Sequence, residues 1–384
     1  MTFAELGVSR PVAGALSKRG ITAPFAIQEL VIADVLAGRD VLVQSPTGSG
    51  KTLAFGVPLV DRIGADERRL AALVLAPTRE LAVQIVDELR DVATARALSI
   101  APVYGGVGIE KQAKRAARAH IVVATPGRLE DLLQRRALTL DRVRILVIDE
   151  ADRMLDMGFK PAVDRIVAKT PRDRQTLFFS ATLAAAAGDI ARAYTRDPRR
   201  HVHEPAETAR GNVSHRFVHL EHAAKLDALI AELRGGGERR TLVFVRTKRG
   251  ADRLVKRLGT RGVRAVAMHG NKTQGQRQRA LAHFERGQVE TLVATDVAAR
   301  GIDVEDITHV INFDAPVDSD TYVHRTGRTG RAGRTGAGVS FVIPDEHREM
   351  RAIARRLDLS GEFDGSAGAP RPRHGGRSRR RRRS

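Results

Sequence analysis

Two groups of residues in this chain have the types and spacing for phosphate chemistry. The first is Gln44-Ser-Pro-Thr-Gly-Ser-Gly-Lys-Thr52, which follows the apolar run Val41–Val43. Gly48 and Gly50 let backbone N–H groups turn toward anionic oxygens, and a helix beginning near Lys51 adds the positive end of its dipole. Lys51 is then placed for the β- and γ-phosphates of a nucleotide, and the Thr52 hydroxyl for Mg²⁺. Ser45 stands where the strict phosphate-loop pattern has its first glycine, so the loop alone also admits reading as a Gly-rich surface turn. The second group is Arg144-Ile-Leu-Val-Ile-Asp-Glu-Ala-Asp152, an apolar strand delivering carboxylates at its C-terminal end, where open α/β sheets place ligands. Asp149 suits Mg²⁺, held partly through water. Glu150 suits the task of orienting or deprotonating an attacking water. An acid after a strand is commonly only a helix N-cap; the pairing of both groups in one chain is what argues for chemistry.

The elements that must position these groups are legible as alternation. Val41–Val43, Leu73–Leu75, Ile121–Val123, Ile145–Ile148 and Leu177–Phe179 read as short strands ending in polar or Gly/Pro turns. Between them lie helical patterns, such as Leu81, Ile85, Leu89 and Val92 on one face. Alternating strands and helices predict a parallel sheet covered on both sides. The alternation restarts after about residue 212, with Leu242–Val245, Val263–Ala267, Leu292–Ala294, Val310–Phe313 and Val339–Ile343, and with Ala251, Leu254, Val255 and Leu258 as a helix face. A chain of 384 residues exceeds what one core usually organises. Two α/β domains are therefore expected, 1–204 and 213–360. Asp197–Gly211, with Pro198, Pro205 and no apolar periodicity, reads as the connection, 205–212 being its narrow extent. From Gly361 the chain turns to Gly, Ser, Pro and Arg, and 361–384 is expected to be a disordered basic tail. The tail reads either as a nonspecific RNA binder or as an inert solvated extension.

The 65 Lys and Arg outnumber the 45 Asp and Glu, a formal charge of +20. That surplus points to a polyanionic partner, nucleic acid first, with compositional bias as the alternative. The absence of cysteine excludes disulfides, thiolate zinc sites and cysteine nucleophiles. The start, Met1-Thr-Phe-Ala-Glu-Leu, does not read as a secretory signal, and no apolar run approaches the roughly 18 residues of a membrane span. A cytoplasmic protein without membrane attachment is expected.

In this order the motifs resemble the DEAD-box RNA helicases, superfamily 2 enzymes with two RecA-like domains. Asp149-Glu-Ala-Asp152 is the name-giving tetrapeptide, and the likeness runs from Phe3 to about Ile343. It implies ATP and Mg²⁺ as cofactors and RNA as the partner. Gly20-Ile-Thr-Ala-Pro-Phe-Ala-Ile-Gln28, with Phe3 seventeen residues before Gly20, resembles the Q motif. Gln28 is then implied to read the adenine edge, since an amide offers one donor and one acceptor side by side. Phe3 is implied to pack on the base. Ser45, Pro46, Thr47, Gly48, Ser49, Gly50, Lys51 and Thr52 become the triphosphate cradle. Pro77, Thr78 and Arg79, Gly105 and Gly106, and Thr125, Pro126, Gly127 and Arg128 match the first domain's RNA motifs. Such groups bind phosphate and sugar without reading bases. Arg79 and Glu80 also admit an ion pair within the domain. Ser180-Ala-Thr182 resembles the motif that couples hydrolysis to strand separation.

In the second half the likeness implies RNA contact by Arg246, Thr247, Gly270, Thr295 and Arg300, and ribose contact by Asp303. Asn271 follows His-Gly where the family has aspartate. Tyr322-Val-His-Arg-Thr-Gly-Arg-Thr-Gly-Arg331 resembles the arginine-finger motif, with Arg328 and Arg331 directed to the γ-phosphate and His324 to the carboxylates near Asp152. Since the catalytic parts are divided between domains, closure is the implied switch, and local, poorly processive unwinding with RNA–protein remodelling the implied outcome. Ribosomal and RNA-decay proteins are the implied partner classes. No auxiliary domain of readable specificity is expected after residue 360. A noncatalytic RNA clamp and a DNA helicase are the competing readings.

Overall fold

The computed structural model describes residues 1–46, 48–67, 70–182, 185–203, 213–235, 240–299, 304, 307–330 and 334–365. The chain divides into two units. In the first, β1 (Val41–Gln44), β2 (Ala72–Leu75), β3 (Ile100–Val103), β4 (Ile121–Ala124), β5 (Ile145–Ile148), β6 (Gln175–Ser180) and β7 (Arg199–Val202) form one sheet in the order β3-β4-β2-β5-β6-β1-β7. Every pairing is parallel. Strands buried on both faces need apolar side chains at consecutive positions, and successive residues indeed feed opposite cores. Val74, Val147, Leu177 and Phe179 join the helix face Leu81, Ile85, Leu89 and Val92 on one side. Leu73, Leu75, Leu146, Ile148 and Phe178 join Leu129, Leu132 and Met154 on the other.

The second unit repeats the plan. Its strands β8 (Val213–His219), β9 (Arg240–Phe244), β10 (Ala265–Met268), β11 (Thr291–Ala294), β12 (Ile307–Asn312) and β13 (Gly336–Val342) run in the order β10-β11-β9-β12-β13-β8, again all parallel. The helix Lys248–Thr260 lays Ala251, Leu254 and Leu258 on one face of this sheet. The expected two tandem RecA-like domains with helix-covered parallel sheets are what the structure contains.

Two expected boundaries shift. Part of the presumed connection after Asp197 is β7, which pairs with β1 in the register Val41↔Arg199 to Gln44↔Val202. Backbone hydrogen bonding to the free side of β1, not an apolar sequence, makes Arg199-Arg-His-Val202 a strand. The narrower linker 205–212 lies outside the described residues. At the other end, the expected tail begins too early, because the helix Ser360–Phe363 belongs to the second unit. Phe363 is buried, with edge-on ring contacts to Phe217, His219 and His347 at centroid distances of 5.2, 4.9 and 5.2 Å. One aromatic anchor of this kind outweighs the polar composition around it. Residues 366–384 lie outside the described residues.

Candidate nucleotide and RNA sites

All strands being parallel, their C-terminal ends share one edge in each unit, and the phosphate loop, the acid pair, Ser180-Ala-Thr182 and the three segments likened to RNA motifs in the first unit emerge there. β6 lies between β1 and β5, so the phosphate loop, Ser180 and the Asp149-Glu150 pair leave adjacent strands. Gly48 and Gly50 hold φ of +83° and +88°, the left-handed region that glycine enters at little cost. Lys51 opens the helix Lys51–Arg62, with Thr52 next to it. The Lys51 ammonium donates to the carbonyls of Ser45 at 2.8 Å and Pro46 at 3.2 Å. Ser45, the departure from the glycine pattern, is fully buried and structural. Its N–H donates to the Ser180 carbonyl at 3.0 Å and its hydroxyl to Ser49 Oγ at 2.6 Å, while Ser49 donates to the Pro46 carbonyl at 2.9 Å. Thr47 lies outside the described residues.

Asp149 is buried and its Oδ1 accepts the Glu150 N–H at 2.9 Å. Burial pushes its carboxyl up to about 7; Lys51 opposes the shift and Glu150 adds to it. A buried acid so burdened, next to Glu150 and at the strand edge from which the phosphate loop also leaves, is an oxygen donor of the kind that fits Mg²⁺. Glu150 adopts φ +50° and accepts from Arg153 Nη1 at 2.5 Å, both side chains being buried. Asp152 reaches across to β6: its Oδ2 accepts the N–H groups of Ala181 and Thr182, each at 3.1 Å. Ser180 Oγ donates to the Thr182 carbonyl at 2.5 Å. The acid motif and the coupling motif are thus physically joined.

Gln28 is buried in the first turn of the helix Ala26–Leu36. Its Oε1 accepts from the Phe25 N–H at 2.9 Å and its Nε2 donates to the Gly50 carbonyl at 3.0 Å, which ties the Q-motif amide to the phosphate loop. The expectation for Phe3 needs correction. Its ring is 3% exposed in the core with Leu6 and Val8, committed to packing and not presented to a base. The aromatic on the surface here is Phe25, 62% exposed. A Cβ built on Gly50 would lie 2.7 Å from both Phe25 Cδ2 and Gln28 Nε2, so ring, amide and loop are in one place.

The three RNA motifs leave the adjacent strands β3, β4 and β2. Thr78, after Pro77, caps the helix Arg79–Ala95 by accepting the Leu81 N–H at 3.2 Å. The Arg79 guanidinium lies against Gly105 and Gly106; a Cβ on Gly106, whose φ is +89°, would meet Arg79 Nη1 at 2.3 Å. Thr125 precedes the helix Pro126–Gln134, which contains Gly127 and Arg128. Arg128 Nη1 donates to the Val107 carbonyl at 2.9 Å and to Gln112 Oε1 at 3.1 Å, fixing the loop after Gly106.

In the second unit Gly270, Thr295 and Arg246-Thr247 follow the adjacent strands β10, β11 and β9. Thr247 caps the helix Lys248–Thr260, accepting the Gly250 N–H at 3.0 Å. Arg246 donates to Glu346 at 2.6 Å. Asn271 accepts from Lys248 Nζ at 3.2 Å, so the amide in place of aspartate still holds a cation. His324 and Arg328 flank Arg325, and Arg328 Nε donates to the His324 carbonyl at 3.3 Å. Arg300, Asp303 and Arg331 lie outside the described residues. Sequence reasoning missed Arg325. This buried guanidinium bonds Asp296 in bidentate fashion at 2.6 and 2.8 Å, and donates to Asn312 Oδ1 at 3.1 Å and the Asp314 carbonyl at 2.7 Å. It also lies over the Phe244 ring at 5.1 Å.

A phosphate loop and an Asp-Glu pair on a parallel sheet, followed by a second such sheet, define a two-unit nucleotide hydrolase. Residues 25–190 match the DEAD/DEAH box helicase family model and 224–333 the helicase conserved C-terminal domain. The chain is 43% identical over 354 residues to the DEAD-box ATP-dependent RNA helicase CshA of Streptococcus pneumoniae, covering 92% of this chain and 68% of that protein. It is 40% identical to CshA of Bacillus subtilis, covering 94% and 74%. Among solved structures it is similar to S. cerevisiae Dbp5 bound to RNA and ADP BeF3, with 30% identity, a TM-score of 0.83 and 94% of each chain covered. The chain belongs to the DEAD-box family of ATP-dependent RNA helicases. No helix among the described residues is long and apolar enough to cross a membrane.

Proposed function

We propose that this protein couples ATP binding and hydrolysis to local separation of short RNA duplexes and to RNA–protein remodelling. The observation that supports this most is the strand order of the first sheet: β5, β6 and β1 carry nucleotide chemistry, and β3, β4 and β2 carry the groups suited to an RNA backbone. Lys51 and the loop N–H groups bind the β- and γ-phosphates, and Glu150 orients the attacking water. Asp149 and Thr52 hold Mg²⁺, which supplies charge neutralisation on the phosphates. Asp152 carries changes at this site to Ser180-Ala-Thr182. Arg328 and Arg331 serve the γ-phosphate, His324 the acid motif and Asp303 the ribose, on the motif likeness. Hydroxyls, glycine N–H groups and arginines grip phosphate and sugar, so binding is independent of sequence. A first domain ending near residue 204, a second running from 213 through the helix Ser360–Phe363, a cytoplasmic setting, and ribosomal or RNA-decay proteins as partners complete the reading.

ATP hydrolysis measured with single-stranded RNA, with DNA of the same sequence, and with neither tests it. Strong stimulation by RNA alone is expected. No stimulation indicates a noncatalytic clamp, and equal stimulation by DNA a DNA motor.

Gln28 reads the adenine edge with the amide hydrogen and lone pair its two internal bonds leave over, while Phe25 supplies the face on which the base stacks. Aromatic stacking of about 1 kcal/mol corresponds to a rise of roughly fivefold in KM for ATP in Phe25→Ala, with kcat and melting temperature little changed. Phe3→Ala is expected to do the reverse, costing about 3 kcal/mol of stability. Steady-state titration of ATP together with thermal melts separates the two, and an unchanged KM in Phe25→Ala removes the ring from the base site.

A further inference from the structure

At the edge of the first sheet opposite the motifs, the N-terminal ends of β5, β6, β1 and β7 surround a cavity of about 760 Å³. Seven arginines and four aspartates line it, and two of the arginines, Arg39 and Arg144, pair with Asp34 at 3.1 Å and Glu67 at 2.8 Å just beyond the lining, which leaves the site with a net positive charge. We propose that this cavity is a binding site for a small polyphosphate anion, separate from the nucleotide site.

Two of the arginines, Arg62 and Arg174, are held in place before any anion arrives. Arg62 Nη1 donates to the Leu36 carbonyl at 2.7 Å, and its guanidinium packs on Gly38, where a Cβ would come within 3.1 Å. Arg174 donates to the carbonyls of Pro171 at 2.9 Å and Tyr194 at 3.3 Å. Backbone carbonyls orient both forks without neutralising them. The Nε–H groups of Arg62 and Arg174 are buried and have no hydrogen-bond partner among the described residues. The most buried aspartate of the lining, Asp40, is engaged by backbone: its two oxygens accept the N–H groups of Thr176 and Arg196, each at 2.7 Å. Crowding of like charge is felt. Burial lowers the pKa of Arg62, with Arg144 adding and Glu67 opposing, and burial lowers that of Arg174, where Asp40 opposes the shift and Arg196 adds to it.

Fixed guanidinium forks match phosphate oxygens two at a time. The volume falls within the range of roughly 300–1,000 Å³ typical of small-molecule sites, which favours a compact oligophosphate over a length of duplex. β1 runs from Val41 beside the cavity to Gln44 at the phosphate loop, so an anion here would sit one short strand from the ATP chemistry.

The test is calorimetric titration of inorganic tripolyphosphate into the full chain carrying Lys51→Ala, which removes the phosphate-loop lysine from competition. Affinity is expected to fall at least tenfold on adding Arg62→Gln with Arg174→Gln. Arg142→Gln with Arg196→Gln, which alters cavity arginines exposed enough to spare the fold, should do the same. Arg118→Gln with Arg135→Gln, which removes equal charge from the surface elsewhere, should change it less than twofold. Equal loss in all three pairs reduces the effect to net charge and overturns the proposal, as does no loss in the cavity pairs. If the cavity pairs weaken single-stranded RNA instead and leave tripolyphosphate unchanged, the cavity is an RNA track and the proposal also fails.

Discussion

Glu150→Gln is expected to lower ATP turnover by roughly 10²–10⁴-fold while ATP and RNA binding stay near those of the parent protein. Glutamine keeps the shape and one acceptor oxygen for Arg153, so the buried contact at 2.5 Å survives in weaker form and only the charge that orients water is lost. Glu150→Ala would be a poorer experiment. It strands a buried guanidinium at a cost of about 3–5 kcal/mol, which confuses catalysis with folding. Single-turnover hydrolysis, nucleotide and RNA binding, and a thermal melt on Glu150→Gln decide the matter. Unchanged turnover takes Glu150 out of the mechanism, and lost binding shows that the substitution damaged the site and not the chemical step.

The second large effect is structural. Arg325→Met is expected to destabilise the second unit by about 3 kcal/mol, because Asp296 loses a bidentate partner in a largely buried setting. Arg325→Lys should recover little, since an ammonium cannot span both Asp296 oxygens, Asn312 and the Asp314 carbonyl together. The helix Ser319–Thr326 carries His324 and Arg325, and the short helix Asp296–Ala299 follows Thr295. Hydrogen exchange should therefore speed up in these two helices while the first unit keeps its protection. Unaltered exchange there would mean that neighbouring packing, not the guanidinium, holds the site.

The sequence was most readable where strands are buried on both faces. Central strands such as Ile145–Ile148 must be apolar at every position and announce themselves. The three strands not anticipated, β3, β7 and β8, all lie at sheet edges. There Pro102 is tolerated, Arg199 and Arg200 face water, and Val213–His219 alternates with polar residues. Local geometry was legible where a loop motif fixes both type and order, as in the left-handed Gly48 and Gly50 before the helix that opens at Lys51. Arg153 and Arg325 were not, because a buried arginine is defined by partners distant in the chain or across a turn. Phe3 was misjudged for the same reason: exposure is decided by packing, and a motif does not state it.

The division of the first sheet into two strand triads has an evolutionary corollary. Within the sheet the triads are joined where β2 pairs with β5, along Ala72↔Ile145 to Leu75↔Ile148, and the cores on both faces are built from residues of both triads. Loops on β3, β4 and β2 can therefore drift, or be exchanged in chimaeras, provided that the β2–β5 pairing and the two shared apolar cores are kept. New RNA preferences can arise on one flank while the ATP engine on the other is inherited unaltered.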